Sequence, residues 1–268
     1  MRTAIDTRDL RREFGTVTAV DSLSLAVAPG EVFGLLGPNG AGKTTTIKML
    51  ITLLPPTSGT ATVAGHDIIH EPRHVRRSIG YVPQLLSSDG TLSARENLDI
   101  SGRLYHIPGP ERRERIDEAL RFMGLADVGG NLVRTFSGGM VRRLEIAQAM
   151  LHRPPVLFLD EPTVGLDPTA RRAVWAHVRD LQEREGTTIL LTTHYMDEAA
   201  ELCGRVGIMH LGKLVALGTP DALAAEVGPG SSLDDVFTHF TGSELDDPAA
   251  GGTYRDLART RRTARRLG

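Results

Sequence analysis

The stretch Val32-Phe33-Gly34-Leu35-Leu36-Gly37-Pro38-Asn39-Gly40-Ala41-Gly42-Lys43-Thr44-Thr45 runs from an apolar segment through a glycine-rich loop into a helical pattern. Residues 37–44 match G-x-x-x-x-G-K-[ST] in the context that this motif requires, a buried strand before it and a helix after it. The glycines let the backbone N–H groups of Gly37, Asn39, Gly40, Ala41 and Gly42 converge on phosphate oxygens, with Pro38, which has no N–H, as a turn residue among them. The start of the following helix adds a favourable dipole. In such a cradle Lys43 bridges the β- and γ-phosphates, the Thr44 hydroxyl reaches Mg²⁺, and Thr45 adds a second hydroxyl. Alone, the loop indicates a purine nucleoside triphosphate and does not separate a GTPase, a kinase and an ATPase.

Upstream, Val17, Val20, Leu23, Leu25 and Val27 follow a near period-two pattern that predicts short antiparallel strands ending at Pro29-Gly30. Downstream, residues 44–54 read as a helix stopped by Pro55-Pro56, and residues 91–151 turn helical and charged, with breaks at Pro108-Gly109-Pro110 and Gly129-Gly130. Val156-Leu157-Phe158-Leu159 and Thr188-Ile189-Leu190-Leu191 read as buried strands flanking helical residues 170–185, the βαβ rhythm of a parallel sheet. The first of these strands delivers Asp160 and Glu161 at its C-terminal end, where open α/β sheets hold their ligands. There Asp160 is placed to hold Mg²⁺ and Glu161 to accept a proton from, or orient, an attacking water. Ser137-Gly138-Gly139 stands before the helical run 140–151. The serine reads as an N-cap, and the two glycines bare N–H groups to a second anion.

With these residues in order, the chain resembles the nucleotide-binding domain of ATP-binding-cassette (ABC) proteins over residues 2–228. Gly37–Thr44 resembles the Walker A motif, and Val156–Asp160 with Glu161 resembles Walker B with its catalytic glutamate. Ile79-Gly80-Tyr81-Val82-Pro83-Gln84 resembles the Q-loop, Phe136-Ser137-Gly138-Gly139-Met140 the signature, Gly165-Leu166-Asp167 the D-loop, and Thr193-His194 the switch histidine. Phe136 and Met140 depart from the usual L-S-G-G-Q, and Phe14 stands where a tyrosine often stacks on adenine. Phenylalanine keeps the aromatic face that stacking needs.

The resemblance implies an α/β P-loop ATPase core with a parallel sheet, an N-terminal antiparallel β-subdomain and an inserted helical subdomain at about residues 85–152. It further implies a domain at residues 1–228 and a C-terminal extension at 229–268. Two copies would pack head to tail around two Mg-ATP. Each nucleotide would touch Phe14, Lys43, Thr44, Asp160, Gln84, Glu161 and His194 of one copy, and Ser137, Gly138 and Gly139 of the other. Gln84, with Thr44 and Asp160, is implied in the metal site. A separate membrane-spanning permease subunit is the expected partner, holding the chain at the cytoplasmic face of the membrane, and no nucleic acid is expected.

Composition agrees with that expectation. The formal net charge is -2, which writes no overall pull toward nucleic acid. Cys203 has no second cysteine to pair with, as in a reducing compartment. No window reaches the run of about 20 apolar residues that a membrane helix needs, and residues 1–10 do not read as a signal peptide. No sustained heptads suggest a chromosome-maintenance type, and one cassette rather than two argues against a translation-associated type. The element Leu233-Asp234-Asp235-Val236-Phe237-Thr238-His239-Phe240-Thr241-Gly242, with Met140, is similar to daunorubicin-type drug-resistance exporter ATPases. It points to export of a drug, antibiotic or amphiphile, with lipid or polysaccharide export and a soluble non-transport ATPase as the alternatives. The arginine-rich residues 254–268 read as a solvated tail, with binding to anionic lipid as the alternative. His66, His70 and His74 recur every four residues, but Pro72 interrupts any helix there, so an aligned metal face is not expected. Trp175 reads as packing.

Overall fold

The computed structural model describes residues 3–242; the arginine-rich tail lies outside them. Strands β1 (Ile5–Phe14) and β2 (Val17–Val27) form an antiparallel hairpin, and β4 (Ser58–Val63) and β5 (His66–Asp67) extend it in the order β2-β1-β4-β5. Both hairpin strands are longer than the short strands expected. Their period-two pattern breaks between Val20 and Leu23, where register shifts flank the pairs Leu10–Leu23 and Arg12–Val20. Val17 pairs with Phe14 at the hairpin tip and is exposed.

The second sheet has the order β10-β9-β3-β8-β7-β6, built from β3 (Val32–Leu36), β6 (Ile79–Val82), β7 (Val156–Asp160), β8 (Thr188–Thr193), β9 (Arg205–His210) and β10 (Lys213–Gly218). All pairs are parallel except β9–β10. Every residue of β3, β7 and β8 is buried, as a parallel strand covered on both faces must be. The register sets Leu36 beside Thr193 and Asp160 beside Thr192, so three strands end at one edge.

Helix α1 (Lys43–Leu50) leaves that edge directly after the glycine loop. It ends four residues before the expected limit at residue 54, and Pro55-Pro56 is not what stops it. Thr52 adopts a left-handed φ of 63°, and the N–H groups of Leu53 and Leu54 both fold back onto the Lys48 carbonyl. Helix α2 (Pro72–Arg77) leads into β6. Between β6 and β7 lie α3 (Ala94–Leu104), α4 (Gly109–Phe122) and α5 (Gly138–Met150). Ser93 and Glu96 form a capping box on α3, and Pro108-Gly109-Pro110 starts α4, which is why that triplet read as a break. Helices α6 (Pro168–Glu185), α7 (Met196–Leu202), α8 (Pro220–Val227) and α9 (Leu233–Thr241) complete the described chain. Leu233, Val236 and Phe237 of α9 are buried in the same apolar core as α5, α6 and β7.

His152 ties the helical insertion to the sheet. Its ring stacks on Tyr105 at 3.6 Å between centroids, and its Nε2 lies 3.1 Å from the Ile79 carbonyl. Burial pushes its pKa down to about 4, against the favourable Ile79 carbonyl. The folded chain therefore holds a neutral ring where the unfolded chain takes a proton below its ordinary value. Stability from this site is complete above about pH 6.5 and is lost as pH falls toward the folded value. The expected loss between pH 7 and pH 5 is on the order of 1–2 kcal/mol. His152→Gln should flatten that slope in urea-unfolding midpoints measured at the two pH values; an unchanged slope assigns it to other groups.

Candidate active site

The three strand ends described above converge on one carboxylate. Glu161 follows β7 immediately with a left-handed φ of 48°, a conformation that side chains rarely adopt. Its N–H is held by the Thr192 carbonyl (3.1 Å) and the Thr192 hydroxyl (3.0 Å). The carboxylate thereby meets three partners: Lys43 Nζ at 3.2 Å from Oε1, His194 Nδ1 at 3.4 Å from Oε1, and the Gln84 amide N–H donating to Oε2 at 2.8 Å. Burial pushes Glu161 up, but His194 and the Lys43 charge outweigh it and the pKa lies below the ordinary carboxylate value. Lys43 is itself lowered by burial, opposed by Glu161.

Lys43 Nζ also donates to the carbonyls of Gly37 (2.7 Å) and Pro38 (3.1 Å), so one ammonium knits the loop to the acid. Two glycines are required by close approach as well as by backbone angle. A Cβ on Gly37 (φ 150°) would meet the Met209 carbonyl oxygen at 2.2 Å, and one on Gly42 (φ 105°), which caps α1, the Ala19 carbonyl oxygen at 2.4 Å.

Asp160 Oδ1 accepts from the hydroxyls of Thr44 (3.0 Å) and Thr192 (2.6 Å). Its pKa is raised by burial, with those two hydroxyls pulling the other way. The Thr44 hydroxyl, the Asp160 carboxylate and the amide oxygen of Gln84 make an all-oxygen donor set, the kind a small hard cation such as Mg²⁺ takes.

Lys43, Thr44, Gln84, Asp160, Glu161 and His194 are thus brought together by direct contacts. Phe14 and the Ser137-Gly138-Gly139 turn are not: neither makes a hydrogen bond or ion pair to that cluster. Phe14 is exposed near the hairpin tip, with the Arg12 guanidinium 4.6 Å above its ring. The Ser137 hydroxyl caps α5 through the Met140 N–H (3.3 Å), so the helix begins two residues earlier than residue 140. Asp167 caps α6 through the N–H groups of Thr169 and Ala170.

Several supporting residues have no local sequence signal. Arg142, on α5 and 2% exposed, donates to the carbonyls of Pro83 (2.7 Å) and Gln84 (2.8 Å) and pairs with Glu145 at 3.0 Å. Glu145 in turn accepts from the N–H groups of Ser87 and Ser88, so the segment after Gln84 is pinned to the helix that Ser137 starts. Glu198, fully buried on α7, accepts from Thr163 and from the Trp175 indole, both at 2.8 Å. Trp175 is therefore a hydrogen-bond donor as well as a packing residue. Arg142 and Glu145 stand at i,i+3 spacing on α5, and spacing alone does not tell that the pair points inward.

A family pattern described as ABC transporter matches residues 20–164. The daunorubicin resistance ATP-binding protein DrrA3 of Streptomyces coeruleorubidus is 47% identical over 234 residues, covering 87% of this chain and 73% of that protein. The Nod factor export ATP-binding protein I of Paraburkholderia xenovorans is 45% identical over 226 residues, covering 84% and 74%. Among solved structures, the dimeric post-hydrolysis state of the ATP-binding cassette MJ0796 bound to ADP and Pi superimposes with a TM-score of 0.72 at 25% identity, over 80% of this chain and 98% of that one.

Proposed function

The chain belongs to the ABC transporter family and is an ATP-hydrolysing subunit, and on that premise we propose that it drives export of a drug, antibiotic or other amphiphile through a separate membrane subunit. The observation that carries the catalytic part is the single Glu161 carboxylate met at once by Lys43, His194 and Gln84. ATP lies over the loop of residues 37–45, with Phe14 against the adenine and Lys43 between the β- and γ-phosphates. Glu161 orients a water and takes its proton as the water's oxygen bonds to the γ-phosphorus and the bond to the β-phosphate oxygen breaks, giving ADP and phosphate. His194 and Gln84 keep the carboxylate and water in line. Mg²⁺, held by Thr44, Asp160 and Gln84, supplies charge neutralisation on the phosphates when bound. Ser137, Gly138 and Gly139 of a second copy close over the same γ-phosphate through the N-terminus of α5. That MJ0796 is dimeric and bound to ADP and Pi supports the pairing of two copies.

The membrane partner is read from a groove. A cavity of about 330 Å³ is lined by Leu53, Arg76, Tyr81, Tyr105 and Gln148 among others, and Leu53, Leu85, Leu86, Leu104 and Tyr105 are exposed. Among the described residues no helix is long and apolar enough to cross a membrane. We read the groove, at the root of the helical insertion (residues 85–152), as the seat of the permease, which would hold the chain at the cytoplasmic membrane face. The names of the relatives favour drug resistance, with Nod factor export as the observation behind a second cargo class. Leu53→Asp tests the reading. ATP hydrolysis by the purified chain should stay within about twofold, since an exposed site carries little stability. Co-purification with the membrane subunit, and drug efflux from cells holding both, should fall about tenfold or more. Undiminished efflux with normal co-purification would remove the groove from the interface.

A further inference from the structure

The histidine recurrence noted in the sequence gives a different cluster in three dimensions. Pro72 does not separate the histidines; it starts α2 and turns the chain back, so that His74 on α2 faces His66 on β5, and the intervening Glu71, not His70, joins them. One ligating atom from each of His66, Glu71 and His74 lies within 4.8 Å of the other two. The imidazole rings stack at 5.1 Å with 25° between planes, and His66 Nδ1 is 3.3 Å from Glu71 Oε1. Around a tetrahedral ion with ligand bonds of about 2.0–2.1 Å, neighbouring donor atoms stand about 3.3 Å apart. One of the three separations already has that value, and rotamer changes on two half-exposed or exposed rings close the others.

We propose that His66, Glu71 and His74 form a surface site for one zinc-class divalent cation, with water completing the shell. Three details point to a cation rather than to a lone ion pair. Glu71 is aimed by the backbone: its Oε2 accepts from the Asp67 N–H at 3.1 Å, the kind of outer support that orients metal-ligating carboxylates. The neighbouring Asp67 turns its Oδ1 to the N–H groups of Ile69 and His70 instead. Arg76 on α2 is engaged elsewhere, donating to the Thr52 hydroxyl at 2.8 Å. Two imidazoles and a carboxylate are a borderline donor set that selects Zn²⁺ over Mg²⁺ or Ca²⁺. The site is thus distinct in chemistry from the oxygen-lined one at Thr44 and Asp160. A bound ion would clip the β4–β5 hairpin to α2, which leads through β6 to Gln84.

The test uses the untagged full chain without nucleotide and Zn²⁺ as the probe, followed by calorimetry and by thermal unfolding, with Co²⁺ absorption to report nitrogen–oxygen coordination. One equivalent should bind tightly and raise the melting temperature of the wild type and of His70→Ala alike. His66→Ala and His74→Ala should each weaken that equivalent by at least about tenfold and abolish the melting shift. Unchanged circular dichroism and Mg-ATP binding would show that the variants fold. Overturning results are the absence of a saturable equivalent, or one that persists in the His66→Ala/His74→Ala double variant.

Discussion

Glu161→Gln is expected to keep ATP binding while slowing hydrolysis by about 10²–10⁴-fold, or about 2.7–5.4 kcal/mol of barrier. Glutamine keeps the shape of the side chain and the contact that Gln84 makes, but it cannot take a proton and carries no charge. The geometry adds a second consequence. Lys43 and Glu161 are both 4% exposed, and their 3.2 Å pair is what keeps the lysine charged against burial. Removing the carboxylate leaves an ammonium in a dry site with the Gly37 and Pro38 carbonyls and the more distant Asp160 charge. The phosphates of ATP then become its natural counter-charge. The variant should therefore hold ATP at least as tightly as the wild type, and should accumulate as a nucleotide-bound dimer in light scattering with Mg-ATP. Single-turnover hydrolysis within about threefold of wild type would remove Glu161 from the proton-accepting role. Normal slowing with lost ATP binding would instead indicate collapse of the loop.

What could be read from the chain beforehand divides along contact range. The loop at residues 37–44 and the pair Asp160-Glu161 were legible because each is a contiguous stretch whose flanking hydrophobicity reports its own strand. The three buried strands were legible for the same reason. The end of α1 was not, since a left-handed Thr52 leaves no pattern and the prolines beyond it drew the boundary outward. Nor was the turn of Glu161 into positive φ, which the two bonds to Thr192 enforce from a strand 31 positions away. The histidines show the same limit from the other side. Their four-residue spacing would align on a helix and Pro72 argued against one, whereas a chain reversal instead brings Glu71 together with His66 and His74. Spacing reports neighbours along an element; it is silent on neighbours across a turn.

The residue with the largest expected effect on stability belongs to that silent class. Arg142→Ala should cost about 3–5 kcal/mol, a large part of the 5–15 kcal/mol that a domain of ordinary stability has. The guanidinium is nearly sealed from water and its three bonds run to Pro83, Gln84 and Glu145. Deleting it leaves two carbonyls without a donor and a buried carboxylate without a counter-charge, the combination that makes breaking a buried pair far costlier than the pair itself is worth. Removing Glu145 as well should therefore recover part of the loss, with a coupling of about 1 kcal/mol or more in a double-mutant cycle. Lysine at 142 restores the charge but not the fork, since one ammonium on a flexible stem does not reproduce two planar N–H groups aimed at successive carbonyls. Arg142→Lys should fold, yet leave Gln84 loosely held, so that turnover falls while ATP binding through Lys43 persists. Urea unfolding of all four variants, with hydrolysis assayed where each is fully folded, separates the structural from the catalytic share. A loss below about 1 kcal/mol for Arg142→Ala would mean that water reaches the guanidinium's place and that the segment after Gln84 is held by Ser87 and Ser88 alone.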